Sequence, residues 1–283
     1  MVEKYSMNSW KNFLDFLIQT NIIVALSAGA LTKITLLKFR SESDLIPLLV
    51  VCATVLSYNY IRLTELREER LSWYYEWFRR NKILFYGVNI LAFIGLLGLL
   101  FVIPIKWESV ITLVPFLVLT FLYVKPAIFR SNWKALRAVP ILKILNIAFC
   151  WAGVTVLFPV IQEFRSIDEL VWIAFFERFL FVFALTIPFD IRDVGIDSKN
   201  MQTIPQIIGI KSAKIVAVLF LILVVLLEYS YFTFWYFQGA KMVVIFLYLS
   251  ILIWNTNPNQ HRYYTSFWVE VVPILWLLLI LYL

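Results

Sequence analysis

The sequence predicts an all-α, polytopic membrane protein: a bundle of about nine transmembrane helices in which residues 1–283 form a single domain. Three observations carry this. Hydrophobic residues make up 62% of the 283-residue chain and charged ones 15%, against the roughly 25% charged residues of a soluble domain. Apolar runs recur at about the length, roughly 17 to 25 residues, that a helix needs to cross some 30 Å of hydrocarbon. Lys and Arg fall unevenly on the loops that those runs define.

The predicted spans are 13–37, 44–62, 83–104, 107–124, 138–160, 169–189, 211–229, 239–255 and 264–282. The opening "MVEKYSMNSWKNF" lacks the basic region, short apolar core and small-residue cleavage site of a removable leader, so the first span is expected to stay in the mature protein. The fourth and eighth spans are short, and Pro140, Pro159, Pro188 and Pro273 lie near span ends. Between the second and third spans, "LSWYYEWFRRNK" alternates aromatic and charged residues and reads either as an amphipathic segment on the membrane surface or as a plain connector. The aromatic run "SYFTFWYF", residues 230–237, reads as an interfacial belt.

Basic residues set the orientation, because cytoplasmic loops carry the excess. With the N-terminus cytoplasmic and the C-terminus outside, eighteen Lys and Arg lie on the inner side and five on the outer. The net charge of +7 thus belongs to one membrane face. Anionic lipid heads are its expected partner, and nucleic acid is not. Cys52 and Cys150 sit in apolar runs as small buried side chains, with no disulfide expected. His261 is the sole histidine, which excludes an imidazole metal site and leaves it a capping or solvent role.

Chemistry is concentrated in "PFDIRDVGIDSKN", where Asp190, Asp193 and Asp197 follow an apolar span. Intervals of three, four and seven return to nearly one face of a helix, so the acids share a stripe. Two readings follow from spacing alone. The acids hold a hard divalent cation such as Mg²⁺, which is usually bound through one or two carboxylates together with substrate phosphates. Alternatively they form a solvated helix end and pair with Arg192 and Lys199.

The stretch "TIPFDIRDVGIDSKNMQTIPQIIG", nine spans and a basic fourth loop together resemble the UbiA superfamily of intramembrane prenyltransferases. In the family pattern D-x-x-D-x-x-x-D is followed by Thr-[Leu/Ile]-Pro and Gly, and Asp190, Asp193, Asp197, Thr203, Ile204, Pro205 and Gly209 match that order. The spacer before Thr203 is one residue shorter than usual and lacks its common Gly. The resemblance implies a cavity open to lipid, two Asp-rich motifs facing across its inner mouth, and Mg²⁺ bridging them to a polyprenyl diphosphate. It implies Asp193 and Asp197 as metal ligands with Asp190 assisting. It also implies Asn59, Arg62, Lys125, Arg130 and Lys134 on the diphosphate, and a lipid-soluble aromatic or quinone-like acceptor. Tyr123 and the basic residues of "YVKPAIFRSNWKALR" match the family's fourth loop loosely, and setting topology is their other role.

The first family motif, N-D-x-x-D-x-x-x-D, is degenerate. The chain reads "YNYIRLTELREER": Asn59 matches, while Tyr60, Leu63 and Arg67 stand in the places of the acids. Glu65, Glu68 and Glu69 come later and are expected to pair with Arg62, Arg67 and Arg70. Either Arg62 or Arg67 replaces a metal ion and binds phosphate oxygens directly, for which guanidinium geometry is suited, or the chain kept the fold and lost the reaction. A terpene cyclase of the same fold and a non-catalytic isoprenoid- or partner-binding protein are the alternatives to a transferase. Lys33, the neighbours Glu177 and Arg178, and Asn21 are polar residues inside spans, expected to make contacts between helices or to face a cavity.

Overall fold

The computed structural model describes residues 9–65, 72–123, 141–164, 166–195, 202–231 and 235–282, and all regular structure among them is helical. The chain opens with α1 (Ser9–Gln19) and α2 (Ile22–Lys38), bent by 64° at Thr20 and Asn21. Asn21 takes a left-handed φ of 56°, which Asn tolerates better than most residues because its short amide bonds locally. The predicted first span is therefore a broken one. α3 (Leu45–Glu65) packs along α2, where a Cβ on Gly29 would run into Val51 and the Pro47 carbonyl; only glycine permits that approach.

α4 (Ser72–Arg80) is short and amphipathic: Tyr74 is buried, while Tyr75, Glu76, Arg79 and Arg80 are exposed. α5 (Lys82–Val102) and α6 (Trp107–Tyr123) follow. α7 (Leu142–Ala152) runs through a π-helical turn, Gly153–Leu157, into α8 (Phe158–Phe164). That turn is an irregularity of the kind often found near functional sites. Gly153 lies against the Phe116 ring of α6, with no room for a Cβ.

α9 (Glu169–Asp193) starts at Asp168, whose carboxylate accepts the Val171 N–H at 3.0 Å, and it continues through Pro188. α10 (Ile204–Ile208) is a single turn, α11 (Ile210–Tyr231) and α12 (Trp235–Asn255) are long, and a second π-helical segment, Tyr264–Val269, leads into α13 (Val272–Tyr282).

Six of these helices, or seven with the bent pair, are long and apolar enough to cross a membrane. Adding the two shorter apolar helices, Trp107–Tyr123 and Gly239–Asn255, reproduces the nine predicted positions. Burial separates centre from periphery: 67% of the apolar window of α9 is buried within the chain, against 11% for α5. α5 thus presents most of its surface to lipid, while α9 packs against α7, α11 and α12. Phe181 of α9 stacks on Phe246 and meets Trp276, both at 5.4 Å between ring centroids. This well-buried helix therefore carries its last residues, Asp190 to Asp193, to one end of the bundle.

Candidate functional site

The acid end of α9 is built from side chains of α9, of α7 and of the second π-helical segment. Asp190 is 1% exposed and pairs with Lys143 at the start of α7, Nζ to Oδ1 at 2.9 Å. Burial without a cation would be costly for this carboxylate, and Lys143 offsets part of that cost. Asp193, three residues on, is held by its own neighbour. Arg192 Nε donates to Oδ1 at 2.7 Å and Nη2 to Oδ2 at 2.8 Å. Arg192 Nη1 also donates to Thr265 Oγ1 at 2.9 Å and Ser266 Oγ at 3.3 Å in the second π-helical segment. The Asp193–Arg192 pair is one that the second reading of the acids named, whereas Asp190 is buried rather than solvated and its partner is Lys143, which spacing did not reveal; Lys199 lies outside the described residues.

The Thr-Ile-Pro-Gly stretch has a structural explanation. Gln206 Oε1 accepts the Thr203 N–H at 3.0 Å in a capping box, Pro205 sits in the first turn of α10, and Gly209 takes a φ of 82° where α10 hands over to α11. α10 packs against α9 and α11 and so braces the acid end.

Across from it, α3 brings polar groups to the break between α1 and α2. Asn59 is fully buried, and its Oδ1 accepts from Asn21 Nδ2 at 2.8 Å. Arg62 Nη2 donates to Asn21 Oδ1 at 3.3 Å, and its guanidinium carbon lies 4.8 Å from the centre of the Tyr74 ring. Asn21, read from sequence as a packing residue or a cavity residue, is the link between Asn59 and Arg62. Tyr60, in the place of a family acid, is exposed, and Leu63 is half-buried.

Glu270, which follows the second π-helical segment, completes this end. Its backbone carbonyl accepts from Ser27 Oγ at 2.5 Å. Sequence reasoning missed it, although a lone acid in "FWVEVVP" is the signal that marks function inside a membrane. Deeper in the bundle Trp151 Nε1 donates to Tyr58 Oη at 2.7 Å, with the two rings edge to face. Asp197, Lys125, Arg130, Lys134 and Arg67 lie outside the described residues.

The opposite end holds a second polar cluster. Lys38 pairs with Glu177 at 2.5 Å and with Glu228, all three side chains being nearly sealed from solvent. Arg178 donates to Thr35 Oγ1 at 3.1 Å and Thr155 Oγ1 at 3.5 Å. The sequence neighbours Glu177 and Arg178 thus bond to different partners, and both line a small cavity walled by Ile34, Phe181, Val224 and Trp276. Lys33 closes the turn between α2 and α3: Nζ donates to the Glu42 carbonyl at 2.6 Å and the Ser43 carbonyl at 3.1 Å, and pairs with Asp44 at 2.7 Å. His261 Nδ1 accepts the Tyr263 N–H at 3.3 Å, a local cap and the first of the two roles, capping or solvent, expected of it. Cys52 and Cys150 are unbridged.

No family model and no curated protein sequence matches the chain. Two solved structures share its fold. A UbiA homologue from Archaeoglobus fulgidus, bound to GPP and Mg²⁺, superposes with a TM-score of 0.60 at 12% identity, covering 94% of this chain and 98% of the other. A structure of digeranylgeranylglyceryl phosphate synthase superposes with a TM-score of 0.55 at 17% identity, covering 97% and 98%. The all-α, polytopic fold read from the sequence is therefore the fold of UbiA-type prenyltransferases.

Among the described residues, no three acids, cysteines or histidines gather to hold a metal ion. On the α9 side, Asp193 is partly exposed, but both of its oxygens accept from Arg192, so an ion there would have to displace that guanidinium. On the α3 side, Tyr60 and Leu63 offer no carboxylate, and the described side chains beside them, Asn59 and Arg62, are not ligands for a second ion.

Proposed function

We propose that the chain belongs to the UbiA superfamily and binds a polyprenyl diphosphate at the acid end of α9, passing its prenyl group to a lipid-soluble aromatic or quinone-like acceptor. The observation that carries this reading is the conjunction of fold and position. The three-acid pattern of the family begins, in this chain, on a well-buried helix of a UbiA-type bundle, and Arg192 between its first two acids bonds to Thr265 and Ser266 of the segment that leads into the last span.

In the transfer, the bond from the prenyl C1 to the diphosphate oxygen breaks with its electron pair leaving on the diphosphate. The acceptor then bonds to C1 and gives up a proton. Asp193 and Asp197, with Asp190 assisting, are the residues that would hold Mg²⁺, which when bound neutralises charge developing on the leaving group. Asn59, Arg62, Lys125, Arg130 and Lys134 are the proposed diphosphate contacts, and charge-assisted N–H donors suit phosphate oxygens. The apolar interior, with Tyr58 and Trp151 facing each other, keeps water from an allylic cation. The acid end is assigned to the cytoplasmic face by the excess of Lys and Arg there, with the C-terminus outside.

A second reading is favoured by Tyr60 and Leu63 and by the Arg192 grip on Asp193: a non-catalytic relative that binds an isoprenoid or a partner. Pyrophosphate release from geranylgeranyl diphosphate by the purified protein in nanodiscs separates the readings. Release that requires an added quinol or phenol supports transfer, release without one points to a terpene cyclase, and no release with any acceptor supports the second reading.

A further inference from the structure

The polar cluster at the end of the bundle away from Asp190 and Asp193 falls into two parts of opposite charge. Lys38 of α2 bonds to one oxygen of Glu177 and one of Glu228, so this group sets two carboxylates against one ammonium. Arg178 carries the other positive charge, and its guanidinium bonds to Thr155 and Thr35; among the described residues no ion pair joins it to either acid. Both parts line one small cavity, with Trp276 of α13 on its wall. We infer that this cavity is a binding site for one water molecule, which joins the two carboxylates to Trp276 and Arg178 across the space between the charges. The site does not depend on the proposed activity.

Valence, size and charge together define the ligand. The second carboxylate oxygens, Glu177 Oε1 and Glu228 Oε1, accept no hydrogen bond, and Trp276 Nε1 has no acceptor, although none of the three residues is more than 7% exposed. Buried polar atoms are satisfied almost without exception, by protein or by ordered water. Two unpartnered acceptors and one unpartnered donor around one cavity call for a molecule that donates twice and accepts at least once. Water does this, and its second lone pair can take an N–H of Arg178, whose bonds to Thr155 and Thr35 use only two of five donors. The cavity leaves about 20 Å³ for the centre of a water-sized molecule. One water needs roughly 10 to 15 Å³ by that measure, so a ligand with a carbon skeleton is too large. Lys38 and Arg178 already balance Glu177 and Glu228, so a metal ion would bring an uncompensated charge among the apolar walls of Ile34 and Val224. A bridging water is enthalpically nearly as good as a direct hydrogen bond. It therefore ties α13, through Trp276, to the charges of α2, α9 and α11.

The test is a structure of the full chain in nanodiscs by electron cryomicroscopy, at a resolution that shows ordered water, in sodium and in rubidium buffer. The expected result is one peak within hydrogen-bond distance of Glu177 Oε1, Glu228 Oε1 and Trp276 Nε1, the same in both salts. A peak that strengthens in rubidium is a bound cation and overturns the inference. Arg178 in direct contact with Glu177 or Glu228, or well-ordered side chains with no peak between them, overturns it as a dry cluster. Radiolytic labelling in heavy-oxygen water gives a second reading that needs no map, because bound water delivers hydroxyl radical to the side chain beside it. Buried Trp276 should take up label in the natural chain. Ala174→Leu, which enlarges a side chain on the cavity wall, should lower that uptake several-fold and leave exposed Trp10 unchanged. Uptake at Trp276 that is absent in the natural chain, or indifferent to the substitution, overturns the inference.

Discussion

Arg192 grips both carboxylate oxygens of its sequence neighbour Asp193, at 2.7 and 2.8 Å, so a cation bound by Asp193 must compete with a guanidinium. Removing the competitor should therefore favour metal. Arg192→Ala is expected to raise Mn²⁺ affinity, followed by electron paramagnetic resonance in nanodiscs, by roughly tenfold, the worth of a charge-assisted contact. Asp193→Asn should abolish the gain. Unchanged Mn²⁺ binding in Arg192→Ala would remove Asp193 from the metal site.

At the other end of the bundle, Lys38 is the shared cation of Glu177 and Glu228. Its loss strands two carboxylates in an apolar setting, so Lys38→Met should cost about 3–5 kcal/mol of stability, the usual penalty for breaking a buried pair. Neutralising the acids as well, in Lys38→Met/Glu177→Gln/Glu228→Gln, should restore most of the melting temperature. Equal melting of the single and triple variants would mean that the cluster does not act as an electrostatic unit.

Gly153 begins the first π-helical turn against the Phe116 ring. Gly153→Ala should destabilise by about 1–3 kcal/mol through overpacking. Pairing it with Phe116→Leu should return part of this, measured by thermal unfolding in detergent.

Orientation is tested by labelling. With Cys52 and Cys150 replaced by Ala, Ser43→Cys should react with an impermeant maleimide in intact cells, whereas Asn259→Cys should react only after lysis. The reverse pattern would put the acid end of α9 outside.

The spans were legible because hydrophobic runs report exposure to lipid directly, even for short helices such as Trp107–Tyr123. The break at Asn21 was not. It depends on a left-handed residue whose amide is bonded to Asn59, 38 positions away. The acid stripe of Asp190 and Asp193 was readable from helical spacing, and so was the shortage of acids near Asn59. Partner choice was not readable, because Lys38 meets Glu177 and Glu228 across 139 and 190 residues. A single sequence marks such residues only as polar groups in apolar runs. Glu228 and Glu270 carried that mark, and the helical packing alone tells which of their neighbours they face.

The proposed function stands on the acids of "FDIRDVGID" holding a metal and, through it, a prenyl diphosphate. The measurement that tests it most directly is binding of geranylgeranyl diphosphate in nanodiscs, with Mg²⁺ and with EDTA, for the natural chain and for Asp193→Asn/Asp197→Asn. The account predicts tighter binding with Mg²⁺ and loss of that increment in the variant, over a weaker component that survives EDTA. Binding indifferent to both metal and mutation, or no binding at all, would contradict it.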